Sequence, residues 1–157
     1  MAKVHKHLDE DRPPSVIVFH LGPYSLNDQP IQDIRNSIKK LISTIIQDKP
    51  YCRLIWSDML PQQYYPGSMA FEDVDRSRVL LNRFCRRLCL TSLGGGVIKY
   101  PEITWQNRKL FAFGGVYLSK PGEDIFLERL QCAINAFLDN PTIQVYPPSV
   151  TEASVDE

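Results

Sequence analysis

The chain has 157 residues, 18 Lys plus Arg against 18 Asp plus Glu, and 43% hydrophobic residues. That is the size of one domain with a real core. A balanced charge argues against nucleic acid or an anionic membrane as the main partner, since both call for a basic surplus, and no apolar run approaches the roughly 20 residues of a membrane span.

Residues 1–14 form a polar leader ending in Pro13-Pro14. They lack the apolar segment of a signal peptide. Cys52, Cys85, Cys89 and Cys132 show no paired disulfide spacing, so the expected setting is reducing and intracellular, cytoplasmic or nuclear. Val16-Ile17-Val18-Phe19 is a continuous β-branched and aromatic run, the pattern of a strand covered on both faces. Gly22-Pro23 makes a turn. Asn27 or Asp28 then offers a helix cap, with Pro30 in the first turn. Ile31, Ile34, Ile38, Leu41, Ile42 and Ile45 recur at three- and four-residue steps, which predicts an amphipathic helix that stops before Pro50.

Leu54-Ile55-Trp56 predicts a second buried strand, and Pro61 to Gly67 a loop. A second helix is expected from about Val74 to Thr91, with Val74, Leu81, Phe84 and Leu88 on its inner stripe. Gly94-Gly95-Gly96 ends it and leads into Val97-Ile98, a third strand. Leu110 to Phe113 reads as a fourth extended segment. A last helix is expected from near Pro121 to about Leu138, with Phe126, Leu130, Ile134 and Phe137 inward. The domain so defined spans 15–139, and the polar residues 140–157 are expected to be disordered. Alternating strands and helices predict an α/β fold: three layers, α/β/α, around a short, mainly parallel sheet. Right-handed crossovers are expected to put helices on both faces.

Gly114-Gly115-Val116-Tyr117-Leu118-Ser119 before Pro121-Gly122 resembles the last signature block of the SGNH/GDSL hydrolases, where it reads Asp-Gly-Val-His-Leu-Ser. The strand ending His20-Leu21-Gly22-Pro23-Tyr24-Ser25-Leu26 is similar to the family's His-Leu-Gly-Gly-Asn-Asp-Leu. Ile55-Trp56-Ser57-Asp58-Met59-Leu60-Pro61, the Arg76–Arg78–Asn82 helix start and Tyr100-Pro101-Glu102-Ile103 extend the likeness over most of the chain. It looks closest to SGNH-type domains carried by vertebrate mobile elements. The resemblance implies a flavodoxin-like sheet.

It also implies a lost active site. The Gly-Asp-Ser block of the family's first strand is absent; the Asn position is Tyr24, the Asp position Gly114 and the His position Tyr117. A triad needs a nucleophile, a base and an acid that orients the base. Tyrosine keeps its proton near neutrality, with a pKa of about 10, and glycine has no side chain. Losing the triad costs on the order of 10⁶ in turnover, about 8 kcal/mol. No catalytic residue, cofactor or metal follows from the likeness. The implied protein is a truncated, degenerate copy acting in binding or scaffolding.

The alternatives are concrete. Ser25 or Ser57 with His20 would make a relocated esterase site, although a structural role is expected for His20. Gly67-Ser68 follows Pro66 in a loop without strand–turn–helix context, so it reads as loop chemistry. Cys85 and Cys89 share a helix face, but nothing complements them as metal ligands, and buried free thiols are expected. Arg83, Arg86 and Arg87 with Arg76 and Arg78 form a basic face that could touch RNA; pairing with Glu72, Asp73 and Asp75 is the simpler expectation. Tyr64-Tyr65 reads as a contact point or a cover over the cleft. A missing first strand would leave 16–19 at an open edge, free to pair with a protein partner, a second copy or the leader.

Overall fold

The computed structural model describes residues 14–67 and 69–148; Ser68 and most of the leader lie outside the described residues. Four strands, β1 (Val16–His20), β2 (Arg53–Ser57), β3 (Gly96–Ile98) and β4 (Val145–Tyr146), form one sheet in chain order, and every pairing is parallel. Three helices connect them: α1 (Ile31–Asp48), α2 (Phe71–Thr91) and α3 (Lys120–Asp139). The fold is the expected three-layer α/β/α.

β2 is the spine. Leu54, Ile55 and Trp56 are essentially inaccessible, and burial of each such side chain is worth roughly 1.5–3 kcal/mol. Strand alternation sends Leu54 and Trp56, with Ile17 and Phe19 of β1, into one core with Ile38, Ile42 and Ile45 of α1 and Val74, Leu81, Cys85 and Cys89 of α2. Ile55, Ile98, Val16 and Val18 face the other way, onto Ala133 and Phe137 of α3. The buried stripe of α2 therefore runs through its two thiols, while Phe84 and Leu88 are only half-buried beside it.

Three expectations need correction. Leu110 to Phe113 is no strand: Arg108–Leu110 is a 3₁₀ turn, and Phe111 makes a single antiparallel bridge to Leu118. The fourth strand comes instead from the segment expected to be disordered, where Val145 and Tyr146 pair with Val97 and Ile98; 149–157 lie outside the described residues. Asn27 and Asp28 do not cap α1. The N-cap is Pro30, without a side-chain hydrogen bond, and the Asn27 amide donates to the Pro66 carbonyl across the loop.

The crossovers also differ in hand. Strands in chain order with α1 and α2 on one face give two crossovers of one hand; α3 on the opposite face gives the third the other hand. Three right-handed units in this order would have put every helix on one side.

Candidate functional site

In open parallel sheets, ligands are met beyond the carboxyl ends of the strands. Here those ends carry His20, Ser57 and, just past β3, Tyr100. Parallel register sets His20 directly beside Ser57. Ser57 Oγ lies 3.0 Å from His20 Nδ1 and 2.6 Å from the Tyr100 hydroxyl. Ser57 is wholly buried, Tyr100 is 7% exposed, and His20 stands at the surface end of the relay. The His20 ring packs on Phe126 of α3, 4.9 Å between centroids.

The environment sets the protonation states. Desolvation pulls the His20 imidazole below its ordinary value, against a hydrogen bond to the Ser57 backbone and the charge of Asp58, which raise it. Burial pushes the Tyr100 hydroxyl up to about 12. At neutral pH the relay is therefore uncharged: Tyr100 can donate to Ser57 Oγ, and Ser57 can donate to His20 Nδ1. Among the described residues, no carboxylate is hydrogen-bonded to any of the three.

His20, Tyr24 and Tyr117 line one cleft of about 270 Å³, with Leu60, Phe111, Phe126 and Glu123. Tyr24 comes from the 3₁₀ turn Pro23–Leu26 and is 60% exposed; Tyr117, 64% exposed, lies between Phe111 and α3. Ser25 sits in the same turn, and its side chain lies outside the described residues. Gly114 does not line this cleft. It belongs to an adjoining open groove with Tyr64, Trp105 and Phe113.

Local chemistry explains the 114–122 block. Gly114 and Gly115 take φ of 91° and 71°, a turn that side chains adopt only with strain. A Cβ on Gly115 would come 2.6 Å from Gln63 Cβ. The Gly115 carbonyl accepts from the backbone N–H groups of Gln63, at 2.7 Å, and Tyr64, at 3.3 Å, stitching the two loops together. Ser119 then caps α3, its hydroxyl accepting from Gly122 N at 3.4 Å and donating to Lys109 O at 2.6 Å.

The chain matches no protein-family model and no curated protein.

Sequence reasoning missed two site residues. Among the described residues, Glu123 is the one carboxylate lining the cleft; its signal was an acid in the first turn of α3, which reads equally as a helix-dipole partner. Tyr100 was noted only within a motif, and its place behind Ser57 depends on register. Among the described residues, no group of three or more His, Cys, Asp and Glu could hold a metal ion. Burial pushes the Cys85 and Cys89 thiols up to about 12, so neither is a ready nucleophile. The basic face of α2 pairs in part: Arg76 with Asp73, Arg78 with Asp75 at 2.7 Å, and Arg86 with Asp58.

Proposed function

We propose that this chain is a degenerate SGNH hydrolase-like domain, of the kind carried by mobile elements, that binds or scaffolds and does not hydrolyse. One observation supports this reading above the others. The cleft at the strand ends holds the phenols of Tyr24 and Tyr117 beside His20, while Ser57, hydrogen-bonded to that histidine, is sealed beneath it. A carbonyl substrate in the cleft would meet phenols that keep their protons near neutrality, while the Ser57 hydroxyl beside the His20 base is out of its reach. Hydrolysis of short p-nitrophenyl esters tests this. The expected result is no saturable turnover above the solution background. Turnover that saturates and is lost in both Ser57→Ala and His20→Ala would contradict it.

The second reading, a residual esterase, rests on the 3.0 Å contact between Ser57 Oγ and His20 Nδ1. It needs a movement that uncovers Ser57, and a stabiliser for imidazolium stronger than the charge of Asp58, which does not outweigh desolvation. The binding reading needs neither. It also gives β1 a role: among the described residues β1 is the terminal strand, so its outer edge offers backbone donors and acceptors to a partner or a second copy.

A further inference from the structure

A second cavity, of about 400 Å³, opens past β2 and β3 on the α2 side, within the volume range of small-ligand pockets. Its wall is built and pinned. Asn82, 3% exposed, accepts through Oδ1 from Trp56 Nε1 at 3.1 Å and Met59 N at 2.8 Å, and donates through Nδ2 to Met59 O at 3.1 Å. Both acids of the cavity are already neutralised. Asp58 takes both oxygens to the fork of Arg86, and Asp75 takes Arg78 at 2.7 Å and the Tyr65 hydroxyl at 2.8 Å. Two more cations line the cavity, Arg83 and Lys99, and among the described residues neither makes an ion pair. The local surplus is therefore two positive charges. On the opposite wall Trp105 is 43% exposed and held edge-on to Phe71, 5.5 Å between centroids.

We propose that this cavity binds a small phosphomonoester carried on a planar ring, such as an aryl or nucleoside monophosphate. The phosphate, with a charge near −2, matches the two uncommitted cations. The ring matches the indole face and the apolar floor of Leu60 and Ile103. Carboxylates fit less well, because a single negative charge leaves one cation unmatched. The site borders the His20 cleft, sharing Leu60 and Pro61 with it, but its cations and Trp105 line only this cavity of the two, and the proposal does not depend on whether that cleft is catalytic.

Phenyl phosphate, inorganic phosphate and phenol are titrated against the whole chain, with Trp105 fluorescence and ligand-observed ³¹P line width as independent readouts. Phenyl phosphate should saturate both signals and bind more tightly than either phosphate or phenol alone. The double variant Arg83→Gln/Lys99→Gln alters two exposed side chains. It should keep its circular dichroism spectrum and raise the Kd by about tenfold or more, the scale of one lost charge-assisted contact. The proposal is overturned by no saturable response up to about 10 mM phenyl phosphate, by equal affinity in the double variant, or by phenol binding as tightly as its phosphate.

Discussion

His20 and Ser57 are adjacent because the β1–β2 register makes them so, and the chemistry of the cleft starts from that pair. The imidazole has a pKa below the ordinary 6.5 because it is desolvated. Between the folded and unfolded values the unfolded chain therefore binds the extra proton. The contribution of His20 to stability is present above about pH 6.5 and is lost as pH falls toward the lowered folded value. Proton NMR titration, with the His20 resonance assigned by a His20→Gln variant, should place its midpoint below those of model peptides; a midpoint at or above 6.5 would contradict the desolvated relay. Asn82 is the other residue with consequences. Truncation in Asn82→Ala orphans the Trp56 and Met59 N–H groups in a buried site, an expected loss of about 2–4 kcal/mol by urea unfolding. A loss below about 0.5 kcal/mol would mean water replaces the amide.

At the scale of elements, periodicity carried most of the fold. The isoleucine stripe of α1 and the apolar runs of β1 and β2 are strong local signals, and all three formed where expected. β4 was illegible because two residues among prolines and polar side chains have no period; its pairing depends on Val97 and Ile98, far away in sequence. What anchors that return is Arg53, at the start of β2. Its guanidinium donates to Gly94 O at 2.7 Å, Ile143 O at 2.8 Å and Asn140 O at 3.2 Å, and also to Phe137 O, while lying over the Phe137 ring. One side chain thus satisfies carbonyls at the end of α3 and in the link to β4. Arg53→Ala should lower stability by about 2–3 kcal/mol, with hydrogen exchange rising first at 143–146. Loss of protection elsewhere, with that segment unchanged, would contradict the anchoring role. No sequence pattern announces such a residue, since a single Arg at a strand start reads as an edge charge.

At the scale of the molecule, the short motifs in the sequence come together as one polar framework. Trp56 and Met59 bond to Asn82, Arg78 to Met59 O, Asp58 to Arg86, Ser57 to Tyr100, and Glu102 to Arg129. Each short motif was weak alone because its meaning lay in a contact with another. The cleft was legible in outline, since His20, Tyr24 and Tyr117 share it, whereas Gly114 sits in the next groove because the glycine turn swings away. The sheet leaves β1 at its edge among the described residues. In a verified monomer, amides of 16–19 that face away from β2 should exchange fast, and slow when a partner or second copy binds; strong protection without any such contact would contradict an open edge. No helix among the described residues is long and apolar enough to cross a membrane. The central claim, that this framework binds without breaking bonds, is met most directly by a fluorophosphonate probe followed by peptide mapping. The folded protein should remain unlabelled, whereas stoichiometric labelling at Ser57 or Ser25 that disappears in His20→Ala would make it a working serine hydrolase.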